Sequence, residues 1–276
     1  MNEASDAIIS DNTVDPNLGN HIIDVLEGAG IPPSRWTPEV LGPADQIHGG
    51  GLRQTQLHAA LTEISADMTL LDIGCGIGGP ARYFATEFGC RVTGIDITPE
   101  YINVARLLSE KVGLSDRLQF DCGDATSLPY SDGYFDMVWA LNVTMNIEDR
   151  STLYSEINRV LIPGGVVAIS ELGQGPNGEP YYPLPWARSQ SYNFLMSPQR
   201  MRGLLEEAGF TILEWVDENA RRQADSQEPL PKEKGVESPL TLEMVRGDDY
   251  PKRRENSQKS AREGRLTNVM LVAEKT

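Results

Sequence analysis

Residues 70–85, LLDIGCGIGGPARYFA, decide the fold. An apolar run, Leu70–Ile73, leads into Gly74, Gly76, Gly78 and Gly79, and a stretch with helical spacing follows. The glycines fit both G-x-G-x-x-G and G-x-G-x-G. Such a turn carries a strand into a helix and lets a ligand approach the backbone closely. On its own the signature is shared by several nucleotide-binding folds, so the surroundings have to separate them.

Outward from this turn the chain alternates. Strand-like runs occur at TLLDIGC (69–75), RVTGIDI (91–97), LQFDCGD (118–124), DMVWALNV (136–143) and VVAISEL (166–172). Between them lie helical patterns or connections of helix length: 79–89, 99–113 with Thr98 as N-cap and Pro99 at the first helical position, the turn 127–135, and 151–165. This predicts a doubly wound, mostly parallel α/β sheet, with ligands beyond the carboxyl ends of the strands. Two further strands, 211–218 and 266–275, are separated by a long excursion. They suggest an edge pair with one strand antiparallel. The segments near 173–196, rich in Gly, Pro and aromatics, and 219–263, polar and helical in pattern, are expected to form a lid. A helix opening at Ser197-Pro198 lies between them. Residues 1–44 read as a lead-in with a short cap helix over 18–30, and 45–276 as the main domain. The domain opens with the polar turn DQIHGGG (45–51) and a helix over 52–65.

The formal charge of −16 argues against a nucleic-acid backbone or an anionic membrane as partner. No run approaches the ~18 apolar residues of a membrane span, and the first residues lack the pattern of a signal peptide. Cys75, Cys90 and Cys122 have no metal-ligand spacing. Neither a metal nor a disulfide is expected, and a reducing cytoplasm suits three unpaired thiols. The sequence leaves monomer and homodimer open.

Three carboxylates narrow the ligand. Asp72 stands two residues before the first glycine, where it would repel the pyrophosphate of a dinucleotide. S-adenosylmethionine carries a sulfonium and an ammonium instead, and both attract it. Asp96 ends the second strand, where a carboxylate can accept from both hydroxyls of a ribose. Asp124 ends the third, where it can accept from an adenine amino group while the Ala125 N–H donates to a ring nitrogen. The plainer alternatives are a turn cap at Asp72, helix-start chemistry at Asp96 and an Asx-turn at Asp124.

Taken in order, LDIGCGIGGPARYF, GCRVTGIDITPEYINVA, FDCGDATSLPYSDGYFDMVWA and RVLIPGGVVAI resemble the class I S-adenosylmethionine-dependent methyltransferases. The resemblance covers roughly residues 45–275. It implies a seven-stranded sheet whose last strand is antiparallel. It also implies that Asp72, Gly74, Gly76 and Gly78 line the methionine end of the cofactor, Asp96 and Ile97 the ribose and adenine, and Asp124 and Ala125 the adenine edge. DQIHGGG, ALNVTMNIED, PYYPLPWARS and EGRLTNVMLVAEK are similar to a bacterial small-molecule branch that includes quinone-biosynthesis and sarcosine/dimethylglycine enzymes. Many relatives place a histidine after the fourth strand, where this chain has Asn142 and Asn146.

Of three histidines, His21 and His58 read as structural, and His48 in the glycine-rich turn is the candidate base, with Gln46 beside it. Asn142 is expected at the cofactor, and Met145, Asn146 and Glu171 toward the acceptor. Tyr182 and Trp186 could cage a cationic amine or stack on a ring. The acidic composition and the aromatic pair favour an amine nitrogen as acceptor. The alternatives are C- or O-methylation of a quinone, phenol or isoprenoid-like metabolite, an NAD-dependent oxidoreductase, and a cofactor-binding module without turnover.

Overall fold

The computed structural model describes residues 14–219 and 237–276. The strands are β1 (Thr69–Ile73), β2 (Arg91–Asp96), β3 (Leu118–Cys122), β4 (Phe135–Leu141), β5 (Leu161–Gln174), β6 (Phe210–Asp217) and β7 (Leu266–Lys275). They form one sheet in the order β3-β2-β1-β4-β5-β7-β6. β1 to β5 pair in parallel, and β7 runs antiparallel between β5 and β6. The anticipated seven-stranded sheet is therefore present, with β6 rather than the last strand at the edge.

The helices are α1 (Leu18–Gly28), α2 (Pro38–Asp45), α3 (Gly51–Ala59), α4 (Gly79–Glu87), α5 (Pro99–Lys111), α6 (Arg150–Val160), α7 (Pro198–Glu207), α8 (Glu243–Arg246) and α9 (Tyr250–Arg262). Alternation along each strand sends successive side chains to opposite faces, and helices cover both. Leu71, Ile73 and Val138 pack on one side with Leu153, Ile157 and Leu205. Leu70 and Trp139 pack on the other with Phe84, Ile102 and Ala105. Central β4 is accordingly apolar almost without interruption, as a strand buried on both faces requires.

The expected helix starts are largely found. Ser197 accepts from the Arg200 N–H (3.3 Å) ahead of α7, and Pro99 opens α5. Thr98 holds the N-cap position without a side-chain capping bond. Instead Asp96 Oδ1 accepts from the Thr98 N–H (2.9 Å), because the shorter strand leaves that carboxylate nearest the helix start. The helix expected over 52–65 stops at Ala59. Of the segments assigned by sequence, 1–13 and 220–236 lie outside the described residues.

Candidate active site

The carboxyl ends of β1, β2 and β3 are adjacent in the sheet, so Asp72, Asp96 and Asp124 converge on one cleft. Gly74, Ile97, Ala125, Asn142 and Asn146 line it too, with Ile47, His48, Tyr101 and Arg246 closing it from outside the sheet. Gly76 and Gly78, expected along the cofactor's methionine end, do not line it. They shape the turn instead. The Gly76 N–H donates to Asp96 Oδ2 (3.0 Å). Gly78, with φ +83°, caps α4.

Gly74 is the tightest position of the turn. Its φ is +66°, and a Cβ there would overlap the Val143 side chain. Gly74→Ala combines left-handed backbone with overpacking, so a loss of about 2–5 kcal/mol in unfolding free energy is expected. A denaturation midpoint shifted by less than 1 kcal/mol equivalent would show that the turn yields.

Asp72 is 2% exposed, and its Oδ2 has no hydrogen-bond partner. Burial, reinforced by the nearby Asp96 charge, raises its pKa well above the usual carboxylate range. A buried carboxylate left unpaired at a cavity wall carries a desolvation cost that a cationic ligand would offset. That is the observation by which the cleft fits S-adenosylmethionine. Asp96 is raised by burial as well, while its bonds from Thr98 and Gly76 pull the other way. Asp124 Oδ1 accepts from the Thr126 N–H (2.9 Å) and hydroxyl (2.7 Å). The Asx-turn reading is thus realised at a residue that also faces the cleft.

The 45–51 turn is anchored by a pair that sequence reasoning did not find. Arg82 of α4 forms a buried ion pair with Asp45 (2.9 Å) and donates to Ile77 O (2.7 Å) and Ser109 Oγ (3.2 Å). The absence of a side chain at Gly79 lets the Asp45 backbone pack against α4. An arginine in the first turn of a buried helix was the available signal. Arg246 was missed as well, because nothing in the sequence around it marks a site. Its Nη2 donates to Ile47 O (2.9 Å), and it reaches the cleft from the excursion between β6 and β7.

A second cavity of about 660 Å³ adjoins the first and shares Ile47, His48, Asn142, Asn146 and Arg246 with it. Gln46, Met145 and Trp186 line it as expected from sequence, and α8 and α9 complete the wall. Asn142 has φ +51°. With its amide turned so that Nδ2 donates to Ser170 O (3.2 Å) and Oδ1 accepts from the Gly49 N–H (3.3 Å), it ties the β4 turn to the His48 loop.

Two expected acceptor residues lie elsewhere. Glu171 is completely buried, paired with Arg150 (2.6 Å) and hydrogen-bonded by the Thr144 hydroxyl. Burial outweighs the arginine and brings its pKa to about 7. It braces the 144–147 turn from below. Tyr182 packs with Met145, Leu184 and Leu266, and its hydroxyl accepts from Asn193 Nδ2 (2.7 Å). It joins the 182–193 stretch through Asn193, so the expected aromatic cage loses one wall. Trp186 reaches the cavity and donates from Nε1 to Asn193 Oδ1 (2.8 Å).

His48 sits on the shared wall. Its Nε2 lies 3.1 Å from Gln46 Oε1 and 3.0 Å from Thr55 Oγ. The Thr55 hydroxyl donates to Gln46 Oε1 (2.7 Å), so a proton on Nε2 would find an acceptor in either neighbour. Nδ1 lies a loose 3.5 Å from Gly49 O. Burial, aided by the Arg246 charge, lowers the pKa to about 4, so the ring is neutral at pH 7.

Comparison with known proteins agrees with this geometry. A methyltransferase-domain family model matches residues 71–169. Methyltransferase GfsG of Streptomyces halstedii is 33% identical over 195 residues, covering 68% of each chain. Sterol 24-C-methyltransferase ERG6B of Gibberella zeae is 43% identical over 108 residues, which are 39% of this chain and 28% of that protein. Among solved structures, the [4+2]-cyclase SpnF superposes with TM-score 0.62 at 27% identity over 81% of this chain and 80% of its own. The geranyl diphosphate C-methyltransferase of Streptomyces coelicolor A3(2), solved with S-adenosyl-L-homocysteine, gives 0.68 at 17% identity over 100% and 99%, a likeness of fold alone. No described helix is long and apolar enough to cross a membrane. With a sheet of this order, an unpaired carboxylate where a cationic cofactor end would lie, and a relative matched over two thirds of its length, the chain belongs to the S-adenosylmethionine-dependent methyltransferases.

Proposed function

We propose that this methyltransferase alkylates a hydroxyl oxygen of a small-molecule acceptor, with His48 as general base. The observation that carries the reading is an imidazole, held by Thr55 and Gln46, on the wall common to the cofactor cleft and the larger cavity. Asp72, Asp96, Ile97, Asp124, Ala125 and Asn142 would hold the cofactor, which supplies an activated methyl group when bound. The chain's own part is alignment, exclusion of water and removal of one proton. Asn146 orients the acceptor hydroxyl, and its proton passes to His48 as the oxygen–methyl bond forms.

An amine acceptor draws less support than the sequence suggested. Among the described residues, Arg246 and Arg254 line the acceptor cavity against one carboxylate, Glu243, and repel a cation. Tyr182 does not face the cavity, so a cation would meet Trp186 without its supposed partner.

The test is a panel of phenols, alcohols and secondary amines, incubated with the protein and methyl-labelled S-adenosylmethionine, with the products mapped by mass spectrometry. Labelled O-methyl ethers are expected. N-methyl products alone would overturn the reading and restore the amine.

A further inference from the structure

The acceptor cavity is longer and more polar than one hydroxyl requires. Cofactor residues cluster at the ends of β1, β2 and β3, while this cavity runs along the ends of β4, β5, β7 and β6. Asn142 follows β4, Leu172 lies in β5, Leu266 and Asn268 open β7, and Asn219 follows β6. Three strand-to-strand steps put the two ends roughly 14 Å apart. The volume of about 660 Å³ lies in the range of pockets that hold drug-sized ligands.

The walls not shared with the cofactor cleft divide by chemistry. Met145, Leu172, Pro185 and Trp186 give an apolar flank, Asn219, Asn268, Ser257 and Gln258 give uncharged hydrogen-bonding groups, and Glu243 and Arg254 add one charge of each sign. Asn268 is 8% exposed, and its Oδ1 has no partner. A buried acceptor atom left unpaired is unfavourable, and a ligand O–H would satisfy it. Asn219 already commits its Nδ2 to Leu266 O (3.0 Å). With Glu243 and Arg254 offsetting each other in charge, the amides and hydroxyl along the wall offer donors and acceptors that match several hydroxyl groups.

We infer that the acceptor is a glycosylated or comparably polyhydroxylated ring compound, its ring against Trp186 and its remote hydroxyls held by Asn268 and the neighbouring polar wall. The inference rests on the proposed O-methylation for the hydroxyl at His48, while recognition of the remote end can be read separately by binding.

The experiment is calorimetric titration of the full chain, saturated with S-adenosylhomocysteine, using naringenin and quercetin and the monoglucoside of each. At least one glucoside is expected to bind tenfold or more tightly than its aglycone. Asn268→Ala should bring that preference within threefold. Ser257→Ala and Gln258→Ala, on a helix surface, should lower it in part and serve where Asn268→Ala does not fold. Absence of any glucoside preference in the wild type, or a preference unchanged in these variants, overturns the inference. A glucoside preference without oxygen methylation would remove only the O-methylation reading. Methylated aglycones with no glucoside preference would remove only this one.

Discussion

Asp72→Asn is expected to weaken S-adenosylmethionine binding by roughly 100-fold or more. Removing one partner of a buried charge pair costs about 3–5 kcal/mol, and tenfold in affinity corresponds to about 1.4 kcal/mol. The substitution preserves shape and leaves the fold without a buried, unpaired carboxylate, so the thermal midpoint of the ligand-free protein should hold or rise. S-adenosylhomocysteine keeps the ammonium and lacks the sulfonium, which separates two geometries. Equal weakening of both ligands places Asp72 at the ammonium, and selective weakening of S-adenosylmethionine places it at the sulfonium. Unchanged affinity for both removes Asp72 from the site. The raised pKa adds a sign to the pH dependence: the carboxyl favours its neutral form in the empty cleft. Binding a cation draws it toward the ionised form, so binding releases protons and tightens as pH rises through the empty-state pKa.

This asymmetry explains which parts of the molecule could be read from sequence. The sheet was legible because each strand is an apolar run and each crossover a helix-length pattern. Local periodicity therefore agreed with global topology from Thr69 to Ile169. The three acidic strand ends were legible for the same reason, since strand boundaries place them. Less legible were side-chain directions set across long sequence separations. Glu171 ends near the site in sequence logic, yet it turns inward to Arg150, about twenty residues earlier in the chain. Tyr182 has the composition of a cage residue, but Asn193 and Leu184 claim it. Arg246 reaches the cleft from an excursion with no periodic signal tied to the cofactor motifs. The backbone freedom of Gly76 and Gly78 serves the turn and the start of α4. The first cleft is built on the ends of regular strands, whereas the second cavity draws much of its wall from loops and from the excursion between β6 and β7. Loops are placed by tertiary contacts that no local pattern encodes.

His48→Ala is expected to lower kcat by roughly 10²–10⁴, the usual contribution of a positioned general base. A pKa near 4 makes His48 a weak base toward a resting phenol. The acceptor proton becomes far more acidic as the oxygen bonds to the methyl, however, so a neutral imidazole suffices late in the transfer. The low value also means that the ring stays available as a base where an ordinary histidine, with a pKa near 6.5, would be half protonated. The fraction in the base form grows as pH rises through about 4 and is essentially complete by about 5, so the wild-type rate should be flat from there to about pH 8. His48→Gln, which can still bond Thr55 and Gln46 but offers no basic nitrogen, should lose as much as the alanine variant. In both variants turnover should rise with pH as the acceptor itself ionises, and the deficit should shrink across a series of phenols of falling pKa. The cofactor dissociation constant should change far less than kcat. A glutamine variant with near-normal turnover would mean that His48 holds the loop through Thr55 and Gln46 without accepting the proton, whereas a wild-type limb near pH 6.5 absent from the glutamine variant would keep the base and overturn only its lowered pKa.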